Sequence, residues 1–324
     1  MCGYRCVCSL YLFLFLLFPL SNRGQHAQVV LFSTTSSVFE LADTFNRAPA
    51  VRYYTSFVEE AGLIWVWATI DGTSGWCLLD TGAPGLIVHR PLNGALALPL
   101  QASGMAGEPQ AAMPVEINSL RWGPIELNDI SAWQTDLSRL TALLNRSVLG
   151  VLGMEVLDQL RLTIDYGTEI LLMESATTGA GPLFAIPGAR QIACLPFEWA
   201  GHVPVIELVV KGHSLRLGID TGASVNLLDS GWLRKRRDVV LPTKDVPRNV
   251  QLQFLGQADG QVYPQQDLRL EVETKKVEVV FVLMPFRRRA RRMDLDLDGL
   301  LGYPFLKNYR VVLDFQHNRL ELWQ

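Results

Sequence analysis

The chain has 324 residues, 49% of them hydrophobic and 19% charged, with a net charge of −3. Such a length and apolar content supply a sizeable core in one large or two ordinary domains and exclude a disordered chain. The slightly acidic balance, with a pI of about 6.0, offers no basic footprint for nucleic acid, so none is expected as a partner.

The first predicted element is a targeting segment. Arg5 precedes an uncharged run from Val7 to Ser21, "VCSLYLFLFLLFPLS". The run is short for a membrane span but matches the core of a signal peptide. Residues 1–24 are therefore expected to be a signal peptide or an N-terminal membrane anchor. No A-x-A site directly follows it, so cleavage after Gly24 or Ala27 and retention as an anchor both stay open. Either way the remainder is exported. Three of the five cysteines lie in this segment, which leaves Cys77 and Cys194. An oxidising compartment allows one disulfide, but two buried free thiols are the simpler expectation. Residues 25–59 form a lead-in, read as a short propeptide, an edge strand or a linker.

From residue 60 the chain repeats itself. Shifted by 140 residues, Gly62–Ala83 falls on His202–Ala223 without a gap. Each copy reads as an apolar strand, a turn ("IDGTSG" or "VKGHSL"), and a second apolar strand ending at aspartate. That pattern is a β-hairpin. A second pair of segments, 150–165 and 299–314, matches at a shift of 149, with six of sixteen positions identical. The repeat predicts two similar halves, 60–180 and 181–324, joined near the Gly- and Pro-rich stretch 174–190. Strand-like runs dominate, so the fold class is mostly β. Short helices are expected at 229–237 and 156–160.

Two tetrapeptides carry the chemistry: Asp80-Thr81-Gly82-Ala83 and Asp220-Thr221-Gly222-Ala223. Each sets a carboxylate at a strand end, followed by a glycine that lets the backbone turn and a neighbour approach. A single copy could simply be an aspartate capping a turn. Two copies in related halves would bring two carboxylates face to face, where both cannot easily ionise and one proton is shared. Such a pair can activate a water and protonate a carbonyl oxygen with neither metal nor cofactor.

The paired "DTGA" motifs, each followed by a hydrophobic-hydrophobic-Gly segment (151–153 and 300–302), resemble the retropepsin-like aspartic proteases. The resemblance covers about 60–324. It implies two pepsin/retropepsin-like β-barrel lobes related by a pseudo-two-fold axis, with a substrate cleft between them. The catalytic dyad would be Asp80 and Asp220, supported by Thr81, Gly82, Thr221 and Gly222. Hairpin flaps would lie near Gly104, Met105, Ala106 and Gly107, and near Leu255, Gly256 and Gln257. Retroviral members carry one motif per chain and dimerise; two motifs imply a single-chain monomer acting on a protein or peptide. Export and the resemblance together imply a periplasmic or secreted enzyme, anchored in the inner membrane if the N-terminal segment is retained. The rival expectation is a catalytically silent peptide-binding module with the same fold.

Two departures from the family pattern bear on activity. Ala83 and Ala223 lack the hydroxyl that pepsin-type members place there, which removes a donor to the carboxylates and predicts a less acidic working pH. Pro84 stands where the second copy has Ser224, so one side lacks a backbone N–H for substrate.

Other signals read as secondary. "MDLDLDG" (293–299) imitates the start of a calcium loop, but Phe305 occupies the twelfth position, where glutamate is needed. "FRRRARR" (286–292) could meet an anionic lipid or an acidic partner, or mark a processing site, and is expected chiefly to pair with the neighbouring aspartates. The five histidines show no metal-ligand spacing.

Overall fold

Strand Leu63–Ile70 is buried on both faces over its first half, and then Trp67 and Thr69 turn outward while Ala68 and Ile70 stay inside. Such alternation is what a half-covered sheet requires. Asp71 and Gly72, at φ of 47° and 76°, turn this strand into Thr73–Leu79. Lys211 and Gly212, at 48° and 80°, do the same between Val203–Val210 and His213–Ile219. Two successive left-handed residues make the tight hairpin turn whose twist suits the strands. Both hairpins stand where the repeat predicts, with the 140-residue offset kept at every strand end.

The computed structural model describes residues 17–19, 52–90, 100–102, 110–144, 146–175, 189–240, 249–254, 261–285, 287–291 and 295–324. Among these, three sheets carry the fold. An eight-stranded sheet draws on 58–152. A nine-stranded sheet draws on 198–301 and on Leu17–Pro19, which pairs with Asn249–Phe254 at its edge.

The third sheet has six strands from both halves of the chain, in the order Gln191–Pro196, Arg319–Trp323, Arg310–Asp314, Leu160–Asp165, Ile170–Ser175 and Arg52–Ser56. The last belongs to the lead-in, which thus supplies an edge strand. Leu160–Asp165 and Arg310–Asp314 meet antiparallel, with Arg161 opposite Asp314 and Asp165 opposite Arg310. Each arginine therefore reaches the aspartate of the other copy. Arg310 Nε donates to Asp165 Oδ2 at 2.9 Å, and Arg161 Nε lies 3.6 Å from Asp314 Oδ2. Arg161 also holds Glu174 and Glu321, at 2.9 and 3.1 Å.

Short helices occupy Met154–Leu157 and Tyr303–Leu306, again 149 residues apart. The predicted helix at 229–237 is confined to Ser230–Arg234, followed by a 3-10 turn at Arg237–Val239. The one predicted at 156–160 starts earlier and ends at Leu157, because Leu160 already belongs to a strand of the shared sheet.

Candidate active site

Each DTGA turn is held by a strand that arrives from far along the chain. Val148–Leu152 inserts between Thr73–Leu79, to which it runs parallel, and Ile87–His89, to which it runs antiparallel. Gly299–Leu301 inserts in the same way between His213–Ile219 and Leu227–Asp229. These inserted strands take over the backbone where the hairpin pairing ends. Asp80 N donates to Leu152 O and Asp220 N to Leu301 O, both at 3.0 Å. Met154 N and Tyr303 N then bond Ala83 O and Ala223 O, both at 2.8 Å. A side chain at Gly153 or Gly302 would overlap those alanine carbonyls. The glycine of the hydrophobic-hydrophobic-Gly segment is thus dictated by close approach.

The two turns are bonded to each other. Thr81 N donates to Thr221 Oγ1 and Thr221 N to Thr81 Oγ1, both at 3.0 Å. Each hydroxyl then donates across to the other half, Thr81 Oγ1 to Ile219 O at 2.8 Å and Thr221 Oγ1 to Leu79 O at 2.9 Å. All four bonds are buried. A threonine fits because only a side chain that both accepts and donates closes this ring.

Asp80 and Asp220 are both 0% exposed. A Cβ on Gly222 would overlap the Asp80 carboxylate, so that carboxylate sits directly over the opposing turn. Gly82 N donates to Asp80 Oδ1 at 2.7 Å and Gly222 N to Asp220 Oδ1 at 2.8 Å. The two Oδ2 atoms are buried and receive no hydrogen bond from the described protein atoms. One oxygen of each carboxylate is thereby fixed by backbone, and the other is left for a proton or a ligand.

Burial raises both carboxyls above the ordinary aspartate range. At Asp80 burial outweighs the Gly82 N–H, which favours the charged form. At Asp220 burial is again the leading cause, and the Asp80 charge adds to it. The pair therefore titrates as a unit, with one proton retained after the first is lost. The direction agrees with the expectation drawn from Ala83 and Ala223. Its leading physical cause is burial rather than the missing hydroxyls.

Residues 66–156 match the aspartyl protease family. The match is to the retropepsin-like group that the DTGA motifs resemble. It runs from the first hairpin through Asp80 to the helix after Gly153, so it takes in both the first turn and the strand that supports it. An aspartyl protease domain implies peptide hydrolysis as its general chemistry. No curated protein matches the chain.

The second half lies beyond that aspartyl protease match, yet it repeats the bonds at Asp220, Thr221, Gly222 and Ala223 one for one. The copies differ just past the turn. Glu155 N donates to Pro84 O at 3.0 Å. At the matching place in the second copy the proline is on the other partner, Pro304, opposite Ser224. The Ser224 hydroxyl is buried and takes no described protein partner.

Sequence reasoning passed over His202. Its Nε2 donates to Gly82 O at 2.8 Å, so an imidazole from the second half rests on the first turn. Burial lowers its pKa, which favours the neutral ring. The repeat carried the signal: His202 aligns with Gly62, which packs against Ser224 and Tyr303 beside the second turn. The flap residues Gly104, Met105, Ala106, Gly107, Leu255, Gly256 and Gln257 lie outside the described residues. The strands flanking them pair as hairpins, Leu100–Ala102 with Gln110–Trp122 and Asn249–Phe254 with Gln261–Val272. The two described cysteines are free; Cys77 is buried, but Cys194 is exposed on its strand, which corrects the expectation of two buried thiols.

Proposed function

We propose that the chain is an exported, single-chain aspartic endopeptidase in which Asp80 and Asp220 share one proton. In this reading the two halves are lobes about a pseudo-two-fold axis, and the substrate lies in the cleft between them. The observation that carries it is the crossed Thr81–Thr221 bonding, which sets the Asp80 carboxylate on the Gly222 turn. Matching registers in the shared sheet support the axis.

The ionised carboxylate takes a proton from water as that water attacks the peptide carbonyl. The protonated carboxyl donates to the oxygen on which charge develops, and the amine leaves with a proton from the pair. Gly82 and Gly222 N–H groups hold the two Oδ1 atoms, so neither carboxylate has to reorient during the step. The resemblance puts the flaps that would cover the substrate near residues 103–108 and 254–260. The enzyme works as a monomer in the periplasm or outside the cell, with the N-terminal segment as signal or anchor.

Cleavage of a denatured protein library by wild type, Asp80→Asn and Asp220→Asn tests the proposal. Wild type is expected to cut and both variants to lose the activity. Equal cutting by all three, or peptide binding without cutting by any, would refute it and favour the silent binding module.

A further inference from the structure

The nine-stranded sheet brings together two basic runs that lie about fifty residues apart in sequence. Strands Leu227–Asp229 and Lys275–Met284 are parallel neighbours and end level, with Asp229 opposite Met284. The chain therefore leaves both strands at one end of the sheet. It continues as "SGWLRKRR" (230–237) from the first strand and as "PFRRRARR" (285–292) from the second. Asp229 ties the two runs: its Oδ1 caps the first helix through Trp232 N at 2.8 Å, and its Oδ2 accepts from Arg287 N at 3.0 Å.

Part of this charge is used internally. Arg287 pairs with Asp298 at 3.1 Å and Arg291 with Asp296 at 3.7 Å, as expected of the neighbouring acidic run. Arg236 stacks on Trp232. Four of the described side chains are not so used. Arg234, Lys235, Arg237 and Arg288 are exposed and pair with no carboxylate among the described residues.

The first half provides an internal control. Ile87–His89 and Ile125–Thr135 are also parallel and end level, with His89 opposite Thr135. The residues after them, "RPLNGA" and "DLSRLT", carry one arginine each and an aspartate. The same architecture thus stands without a cationic cluster, so the fold does not require one.

We propose that this face of the second half docks on an anionic lipid surface. The same sheet supports the choice of lipid over an acidic protein. The edge nearer those two strands pairs with Leu17–Pro19, part of the apolar run Val7–Ser21. One sheet thereby holds three residues of an apolar run as well as a basic end, and an apolar segment with a basic face are the two signals that together make membrane attachment stable. Arginine and lysine near an anionic bilayer each add to the attraction, and that attraction fades with salt. With a net charge of −3 over the whole chain, the attraction must come from the local cluster.

The proposal is independent of proteolysis and is tested by co-sedimentation of the full chain with vesicles. Neutral phosphatidylcholine vesicles are compared with vesicles containing one third phosphatidylglycerol. The apolar segment contributes to both, so the ratio is the readout. Wild type should favour the anionic vesicles by at least about tenfold at low salt, with the preference lost at high salt. A variant with Arg234→Gln, Lys235→Gln, Arg237→Gln and Arg288→Gln should keep its melting temperature and lose the preference. The salt series on wild type tests the same point should that variant not fold. Wild type binding both vesicles equally, a preference that persists at high salt, or one that survives in the folded variant overturns the proposal. Salt-sensitive retention on polyglutamate without a lipid preference overturns it too, and assigns the face to an acidic protein.

Discussion

The carboxylate of Asp80 fills the space in which a side chain at Gly222 would begin. The relationship joins residues 142 positions apart and leaves no slack at the centre of the molecule. Gly222→Ala should therefore act on both stability and activity. Overpacking of this kind costs about 1–3 kcal/mol, and the displaced carboxylate should lower cleavage by about a hundredfold or more, as loss of acid–base geometry does. Thermal unfolding and kcat/KM on one peptide check the two effects.

Buried carboxyls with raised pKa values also make a prediction about stability. Between the unfolded aspartate value and the folded one, the native state binds more protons than the unfolded state. Stability is thus full at low pH and falls as pH rises through that window. Asp80→Asn removes one of the titrating groups. Its melting temperature should exceed that of wild type near pH 7.5, with the gain shrinking towards pH 4. A gain of equal size at both pH values would contradict the linkage.

The pH–rate profile depends on the same pair. Burial pushes the Asp80 carboxyl up to about 6, and Asp220 rises with it. Activity should climb as the pair loses its first proton and fall as it loses the second, giving a bell in the mildly acidic to neutral range. An optimum below about pH 3, under the unperturbed aspartate value, would count against a buried, proton-sharing pair.

Thr81→Val keeps the shape of the crossed ring and removes its chemistry. It leaves Ile219 O without its donor and Thr221 N without its acceptor, both in the interior. Each unsatisfied buried group costs about 1–3 kcal/mol. Thr81→Val and Thr221→Val should be strongly non-additive, because each breaks bonds the other needs. A double-mutant cycle by urea unfolding measures the coupling; independent, additive losses would mean that the ring is not cooperative.

The shared sheet predicts an asymmetry between two arginines that the repeat makes equivalent. Arg161 serves Glu174, Glu321 and Asp314, and the Glu174 side chain is 1% exposed. Arg310 serves Asp165, which is 18% exposed. Removing one partner of a buried pair costs about 3–5 kcal/mol; Arg52 still faces Glu174 at 3.1 Å, so Arg161→Met should lose part of that. Arg310→Met should lose clearly less, by equilibrium unfolding.

Much of the site was legible from the chain alone. Alternation of apolar residues, interrupted by Asp71-Gly72 and Lys211-Gly212, defines both hairpins because strand period and turn chemistry are local properties. The repetition of DTGA pointed to a pair, because a shared proton needs two carboxylates in like surroundings. The 149-residue repeat located the supporting strands, since glycine at 153 and 302 is a constraint visible in sequence. Local pattern also set limits. Predicted helices at 156–160 and 229–237 were displaced or shortened; at 160, strand pairing with distant residues overrode helical propensity.

Tertiary structure decided what depends on partners distant in sequence. Arg161 and Asp165 are ordinary strand residues until the register with Arg310–Asp314 crosses them between the halves. His202 is one of five histidines until folding rests it on Gly82 O. Exposure of Cys194 and the convergence of two basic runs at Asp229 come from sheet order, which periodicity does not contain. Residue type and spacing fix which positions can turn, pair or ionise. Only packing decided which of them meet, because a side chain's dielectric surroundings and its cross-strand neighbour are set by the whole fold.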